Sequence, residues 1–138
     1  MRLTSFTDFG LRALMRLAGE PGRLFSTDDI AREFGISRNH LSKIVQMLSN
    51  AGIVTTHRGK RGGFELARSP ETITIGEIVR LMESGQALVE CFRSDGGLCS
   101  LTPECRLKGR LAAAQEAFLK ELDQTTLAQC AYPQKAAA

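Results

Sequence analysis

The residues FGIS at positions 34–37 separate two short segments whose apolar residues recur at helical spacing. The segment before them carries Ile30, Ala31 and Phe34. The segment after them has apolar residues at i, i+3, i+4 and i+7, namely Leu41, Ile44, Val45 and Leu48. Gly35 suits the position just beyond a helix C-terminus and Ser37 suits an N-cap. The sequence therefore predicts two helices joined by a tight turn.

The flanking segments extend this pair of helices into a larger unit. Residues 3–18 have an amphipathic pattern that predicts a first helix, and the EPGR sequence ends it. After the third helix, IVTTHRGKRGGFEL places β-branched residues around a basic, glycine-rich turn, which is typical of a hairpin. This order of elements predicts a winged helix-turn-helix over residues 1–68, mainly α with a small β-wing.

A smaller part of the chain follows this unit. Residues 69–90 are predicted to form a connector with a short helix, which Thr74 and Glu77 begin as a capping box. Residues 91–105 form a loop rich in cysteine. Thr102 and Pro103 are predicted to open a long helix within residues 102–130, with Thr102 at the N-cap and Pro103 at N1.

The long helix carries an apolar stripe made of Leu107, Leu111, Ala114, Phe118, Leu119 and Leu122. A chain of 138 residues has little material with which to cover both faces of such a helix. We therefore expect the stripe to pack on a second copy in a homodimer. The alternative is that the stripe packs within one monomer.

Composition excludes several classes of protein. Hydrophobic residues make up 43% and charged residues 24% of the chain, and no stretch is apolar enough to span a bilayer. Asp8, Arg12 and Arg16 interrupt the N-terminal segment, which is therefore not typical of a signal peptide. We expect a cytoplasmic protein with reduced thiols. No nucleophile–base pair or phosphate loop is apparent, so an enzyme is not expected.

The third helix and the wing carry side chains suited to double-stranded DNA. Residues 1–69 hold 11 Lys/Arg against 6 Asp/Glu, whereas residues 70–138 hold 7 against 9, so the first half favours a polyanion. Polar side chains in the first turns of a recognition helix reach base edges, and a basic wing contacts phosphates or the minor groove. The predicted DNA contacts are Ser37, Arg38, Asn39, His40 and Lys43 in the helix and Arg58, Lys60 and Arg61 in the wing. One such cation alone would usually be a solvated surface charge, and only the combined pattern supports the prediction.

Three of the four cysteines, Cys91, Cys99 and Cys105, have the spacing C-x7-C-x5-C. A disulfide would leave one thiol over and disagrees with a reducing compartment. Structural zinc prefers closely paired cysteines and four protein ligands. An iron–sulfur cluster accepts wider loops and prefers thiolates. The pattern favours an iron–sulfur cluster, and zinc or a bare thiol sensor are open alternatives.

Two further expectations concern the thiols. Gly96 and Gly97 let the loop fold back, and Cys105 is expected at N3 of the long helix, where the helix dipole favours a thiolate. Cys130 follows Cys105 by 25 residues. Along a continuous helix that separation is about 37 Å, so Cys130 is not expected to be a ligand.

The chain resembles the Rrf family of winged-helix iron–sulfur regulators in four segments as well as in its three clustered cysteines. The segments are MRLTSFTDFGLRAL, ISRNHLSKIVQMLSNAGIV, RGKRGGFELAR and ITIGEIVRLME. Within the family the chain is most similar to the nitric-oxide-sensing repressors of the NsrR type. The resemblance implies a homodimeric transcriptional repressor with a 4Fe-4S cluster (a 2Fe-2S cluster is the alternative), which releases DNA when nitric oxide reacts with the cluster.

The resemblance also implies a fourth ligand. Regulators of the IscR type place a histidine three residues after the last cysteine, and that position is Lys108 here. The nitric-oxide sensors use a carboxylate near the N-terminus of the partner subunit, and Asp8 matches it. Without the resemblance, Asp8 is better explained by a pair with Arg12 or by a role as a first-turn acid in Ser5-x-x-Asp8, because acidic residues early in a helix are common. Two other functions stay open, namely a regulator of the same fold that senses iron supply or redox state and, more distantly, an electron carrier.

Overall fold

The computed structural model describes residues 1–132. The helices are α1 (Ser5–Gly19), α2 (Thr27–Phe34), α3 (Arg38–Asn50), α4 (Ile75–Met82) and α5 (Arg106–Asp123). Strands β1 (Val54–His57) and β2 (Gly63–Leu66) lie between α3 and α4 and pair in the antiparallel sense. The predicted fold, mainly α with a two-stranded wing, is confirmed.

The turn between α2 and α3 is fixed by the residues that the sequence predicted. Ser26 caps α2 by accepting a hydrogen bond from the Asp29 amide, and Gly35 ends it with a left-handed φ of 65°. The Ile36 amide then donates to the Ala31 carbonyl at 3.0 Å. Ser37 caps α3 by accepting from the His40 amide at 3.1 Å. Each helix start therefore has one of its free amides satisfied by a side-chain cap, which fixes where the helix begins.

The wing is attached to the segment that precedes α2. Phe25 and Phe64 exchange two backbone hydrogen bonds of 3.0 and 2.8 Å, which extends the hairpin by one bridge. Both phenylalanine side chains are buried in the core. The wing therefore cannot move independently of the helix-turn-helix.

One hydrophobic core joins the winged helix-turn-helix to the connector. Helices α1, α3 and α4 all contribute fully buried side chains, and so does the segment after α5; among them are Leu14, Leu17, Leu41, Ile44, Leu48, Ile78 and Leu127. Helix α4 packs against α1 as well as against α5. The connector of residues 69–90 is thus an integral part of the same core.

Arg16 is a charged residue at the edge of this core and is only 3% exposed. Its guanidinium donates to the carboxylates of Glu20 at 2.5 Å and Glu33 at 3.1 Å, and it lies 5.0 Å from the centre of the Phe25 ring. The bond to Arg16 is the main cause that lowers the pKa of Glu20. Arg16 therefore connects α1, α2 and the segment before α2 that pairs with the wing.

The start of α5 differs from the sequence prediction. Thr102 is not its N-cap, because residues 101–104 form a turn that the Glu104 amide closes on the Leu101 carbonyl at 3.1 Å. Cys105 occupies the N-cap position with an extended backbone, φ −73° and ψ 114°. The prediction that Cys105 lies at N3 is wrong, because the turn delays the first helical residue to Arg106.

The end of α5 also differs, because the helix stops at Asp123 instead of continuing to residue 130. The chain turns back there: the Leu127 amide donates to the Ile73 carbonyl at 2.7 Å, and the Tyr132 amide donates to the Met15 carbonyl at 2.9 Å. Burial of Leu127 requires this reversal. Cys130 consequently lies half-buried against the core, not at the far end of a helix.

The apolar stripe of α5 is divided between two environments. No residue of α5 is fully buried within the described chain. Phe118, Leu119 and Leu122 pack partly against the core, whereas Leu107 is 61% exposed. Packing within the monomer therefore accounts for the C-terminal half of the stripe. The N-terminal half stays uncovered in one chain.

A charged contact fixes α5 on α4. Arg80 donates to both carboxylate oxygens of Asp123, at 2.5 and 2.9 Å, and Arg80 also lies 3.6 Å from a carboxylate oxygen of Glu116. The helices approach closely beside this contact, since a Cβ added at Gly76 would overlap the Asp123 carboxylate. The bond from Arg80 lowers the pKa of Asp123 below its ordinary value.

We expect Arg16→Met to lower the free energy of unfolding by about 1–3 kcal/mol, because two charge-assisted hydrogen bonds and a ring contact disappear. The matched control is Arg12→Met on the same helix, whose ion pair with Asp8 is half-exposed and should contribute less than about 1 kcal/mol. Urea unfolding at one fixed protein concentration measures both. Equal losses in the two variants would contradict the structural role of Arg16.

We expect Asp123→Asn to lower the thermal midpoint at neutral pH but not in acid. Because the folded pKa of Asp123 is lowered, its contribution is fully present above the ordinary carboxyl value of about 3.9 and is lost as the pH falls through the lowered value. Thermal unfolding at a series of pH values measures the difference between variant and wild type. Glu121→Gln, at an exposed position of α5, is the control. A difference that stays constant down to acid pH would disprove this assignment.

Candidate cluster loop and DNA-reading surface

The first turns of α3 present to solvent four of the five DNA contacts predicted for this helix. Ser37, Arg38, Asn39 and Lys43 are all exposed. The Arg38 side chain is 71% exposed and lies 3.3 Å from Asp28, a surface pair that is easily exchanged for a phosphate or a base. The Ser37 side-chain oxygen accepts from the His40 amide as the helix cap. These positions are compatible with DNA contact, which stays a prediction.

His40 has a different environment from its neighbours. Its side chain is half-buried, and its ring lies 5.9 Å from the Phe6 ring and 5.7 Å from the Phe9 ring, both on α1. The contact with Phe9 is edge-to-face, an arrangement that aromatic rings favour. Sequence reasoning placed His40 among the DNA contacts, and the structure places it against the first helix.

The wing presents its cations at the tip of the hairpin. Arg58, Lys60 and Arg61 are exposed in the turn between β1 and β2, which the Gly62 amide closes on the Gly59 carbonyl at 2.9 Å. Below the tip, the His57 ring lies 3.0 Å from the Glu65 carboxylate on the paired strand. The tip therefore displays positive charge on a short, closed loop, as the sequence predicted.

The three clustered cysteines lie in one loop between α4 and α5. Cys91 is in a short 3₁₀ turn at Glu90–Phe92, Cys99 is in an irregular segment, and Cys105 immediately precedes α5. All three are half-buried free thiols. The three thiols therefore lie in one loop, and none of them is paired with another cysteine.

The segment between Cys91 and Cys99 is closed by its own hydrogen bonds. The Glu90 carboxylate accepts from the Leu98 amide at 2.9 Å, and the Asp95 carboxylate accepts from the Gly97 amide at 2.9 Å. Gly97 has a left-handed φ of 64°, and a Cβ there would overlap the Glu90 backbone. The loop thus has a defined shape that depends on glycine at position 97.

The loop supplies donors that suit an iron–sulfur cluster but does not gather them at one point. Within residues 1–132, no three His, Cys, Asp or Glu side chains converge on a position that could hold a metal ion. Half-buried thiols are nevertheless the ligands that iron–sulfur clusters prefer. The Thr102 hydroxyl is buried and has no hydrogen-bond partner among these residues, so it could donate to a bound acceptor. In donor chemistry the residues present fit a cluster.

Asp8 is the fourth residue of α1. The N-cap is Thr4, whose hydroxyl accepts from the Thr7 amide at 3.3 Å, so Ser5 does not cap the helix. Asp8 is nevertheless an acidic residue of the first turn, as the sequence allowed. Both Asp8 oxygens accept from Arg12, at 3.1 and 2.8 Å, and the carboxylate is half-exposed. The described chain does not bring Asp8 to its own cysteines. Ligation of a partner's cluster by Asp8 remains a prediction.

Two contacts that sequence reasoning missed hold α1 in place. The Thr4 amide and hydroxyl both donate to the Glu83 carboxylate beyond α4, at 2.7 and 3.1 Å. Gly10 allows the Met82 side chain of α4 to approach α1 closely. The partners are separated by more than seventy positions, so no local sequence signal could have indicated either contact.

Comparison with known proteins identifies the family. The sequence profile of Rrf2, described as an iron-dependent transcriptional regulator, matches residues 3–133. The chain belongs to the Rrf2 family. It is 32% identical to CymR (YrzC), the global cysteine regulator of B. subtilis, with 95% of this chain and 96% of that chain covered and a TM-score of 0.74.

Two other solved structures are similar to this Rrf2 chain. The oxidized form of Staphylococcus aureus CymR is 28% identical, with 99% of this chain and 100% of that chain covered and a TM-score of 0.74. T. potens IscR is also 28% identical, with 94% of this chain and 85% of that chain covered and a TM-score of 0.71.

Family membership confirms the function at a coarse level. The protein is a transcriptional regulator and not an enzyme, and regulators of this family bind DNA and form dimers. None of the helices among residues 1–132 has the length and apolar character needed to cross a membrane.

We expect Gly97→Ala to open the segment between Cys91 and Cys99. A left-handed backbone costs a residue with a Cβ about 1–2 kcal/mol, so the open population should rise roughly fivefold or more. Thiol labelling of the metal-free protein, followed by mass spectrometry of each peptide, measures this as faster labelling of the two cysteines. Cys130 is the internal reference, and Gly109→Ala, where a Cβ meets open space, is the control variant. Unchanged labelling rates would show that glycine is not required at position 97.

Proposed function

We propose that this Rrf2 regulator is a homodimeric transcriptional repressor that binds DNA with an iron–sulfur cluster in place and releases DNA when nitric oxide attacks that cluster. The proposed ligands are Cys91, Cys99 and Cys105 of one subunit and Asp8 of the partner subunit. The observation that carries the proposal is the loop before α5, which holds three half-buried free thiols in a shape closed by the chain's own hydrogen bonds.

The chain would contribute three soft thiolate ligands and one hard carboxylate ligand. A 4Fe-4S cluster, or alternatively a 2Fe-2S cluster, would supply iron that binds nitric oxide and can lose ligands as a result. Three thiolates from the loop would hold it on one subunit. The carboxylate of Asp8 is a weaker ligand for such a site than a thiolate, so the bond between subunits is the one most easily exchanged.

The present environment of Asp8 is compatible with this exchange. Its ion pair with Arg12 is half-exposed, and such a pair stabilises a protein by no more than about 1 kcal/mol. Asp8 can therefore exchange its pair with Arg12 for a bond to iron at little cost. When that bond breaks, Arg12 on the same helix can pair with the carboxylate again.

The uncovered part of α5 supports the proposed dimer. Leu107 is 61% exposed at the start of the helix, and Leu98 and Leu101 in the preceding loop are 94% and 67% exposed. Large exposed apolar side chains within ten positions of one another along the chain are compatible with an interface between subunits. A second copy that covers them would also exclude water from the cysteine loop.

The DNA-binding part of the proposal rests on α3 and the wing. The exposed polar residues of α3 would read base edges in the major groove, and Arg58, Lys60 and Arg61 would contact phosphates or the minor groove. The two winged helix-turn-helix units of a symmetric dimer recognise DNA half-sites only at one separation. A ligand bond between the subunits would fix that separation.

A second candidate is a regulator of the same fold that responds to iron supply or redox state. The family's description as iron-dependent and the similarity to T. potens IscR favour it. Lys108 stands at the position where IscR-type regulators would carry a ligand histidine, and a protonated lysine cannot bind iron. This difference supports the nitric-oxide proposal over the second candidate.

The test is a DNA-binding titration of protein reconstituted with iron and sulfide without oxygen. The duplex is selected from a random pool by the wild-type protein. We expect stoichiometric nitric oxide to weaken binding at least tenfold. Cys99→Ser should bind as weakly as the metal-free wild type, and Cys130→Ser, the matched control, should behave like the intact protein.

Two results would contradict the proposal. If chelation or oxidation releases DNA and nitric oxide does not, the second candidate is correct. If Cys99→Ser retains full affinity and full response, the loop is not the sensor. Asp8→Asn should still bind sulfide and iron but lose its affinity for the duplex, and retention of that affinity would exclude Asp8 as the link between subunits.

A further inference from the structure

We propose that His40 is a positioning residue, which transmits a displacement of α1 to the DNA-reading turn of α3 through its contacts with Phe6 and Phe9. This inference rests on the proposed function, because it takes Asp8 on α1 as the point at which cluster loading acts. It assigns to His40 a role other than the DNA contact that the sequence predicted.

The His40 side chain of α3 lies against two aromatic rings of α1. The ring centres of Phe6 and Phe9 lie 5.9 and 5.7 Å from that of His40, with interplanar angles of 35° and 83°. All three side chains are half-buried. One turn later, a Cβ at Gly10 would lie 3.5 Å from the Ile44 side chain of α3, so the helices remain in close contact there.

The same turn of α1 carries the proposed ligand. Phe6 and Phe9 precede and follow Asp8 along the helix, and the Asp8 amide donates to the Thr4 carbonyl at 3.0 Å. A hydrogen-bonded helical turn moves as one body. A force on the Asp8 carboxylate therefore displaces the two rings together with it.

His40 is equally well connected to the reading residues. Its amide donates to the Ser37 cap at 3.1 Å, and it directly follows Arg38 and Asn39 in the first turn of α3. The next residue, Leu41, is fully buried and fixes the helix from the other side. A shift of the His40 ring thus tilts the turn that carries Arg38 and Asn39, while the buried part of α3 resists translation.

Direct contact of His40 with DNA makes a different prediction. A DNA contact strengthens binding of the cluster-loaded and the metal-free protein alike, so its loss leaves the ratio of the two affinities unchanged. A positioning residue changes that ratio. Phenylalanine in place of His40 retains an aromatic ring between Phe6 and Phe9 but has no ring nitrogen to bind DNA.

The experiment measures the affinity of the full-length dimer for the duplex selected by the wild-type protein, with the cluster reconstituted and after its removal by chelation. We expect His40→Ala to reduce the ratio of the two affinities by about two- to thirtyfold, the range in which substitutions alter coupling between sites. His40→Phe should keep the wild-type ratio. His57→Ala, a histidine on the wing, is the matched control and should also keep it.

The outcomes separate this inference from the proposed function. If wild type itself binds equally with and without the cluster, both fail. If the wild type binds DNA more tightly with the cluster than without it, and His40→Ala keeps the same ratio of the two affinities, only the role of His40 is disproved. If His40→Ala and His40→Phe lose affinity equally in both states, His40 contacts DNA. The iron and sulfide content and the thermal unfolding of each variant must match those of the wild type. For the inference to stand, Phe9→Ala must also reduce the ratio of the affinities with and without the cluster.

Discussion

Helix α1 packs against α3 and α4 at the same time, and the rest of the structure depends on this double contact. Toward α3 it presents Phe6, Phe9 and Gly10, which meet His40 and Ile44. Toward α4 it is held by the bonds from Thr4 to Glu83. Because α4 is in turn joined to α5 through Arg80 and Asp123, a continuous set of contacts runs from the helix beside the cysteine loop to the reading helix.

The cysteine loop leads into the N-terminal end of α5, where Leu107 is uncovered, whereas the contact of α5 with Arg80 is at its C-terminal residue, Asp123. A single chain supplies thiols and a closed loop but no converged ligand set among its described residues, and its apolar side chains at Leu98, Leu101 and Leu107 remain exposed. Both features are explained if a second subunit completes the site. Assembly of the dimer would then favour binding of the cluster, and binding of the cluster would favour assembly, because each stabilises the other.

Features that depend on residues close in sequence were predictable. The caps at Ser26, Ser37 and Thr74, the left-handed Gly35 and the hairpin all use partners within a few positions. The start of α5 was not predictable, because threonine followed by proline suits a helix start and a turn equally well. Its end was not predictable because burial of Leu127 is decided by the distant Ile73. The environment of His40 depends on rings some thirty positions away, and the fourth ligand of the proposed cluster depends on another chain.

We propose that the cluster fixes the relative position of the two winged helix-turn-helix units in the dimer. The most direct test of this proposal is the distance between two spin labels introduced by an encoded unnatural amino acid at the exposed position of Ser42, one on the α3 helix of each subunit, measured by pulsed electron resonance. We expect one narrow distance distribution with the cluster bound, and a shifted or broadened one after chelation or exposure to nitric oxide. The same narrow distribution in all three states would contradict it.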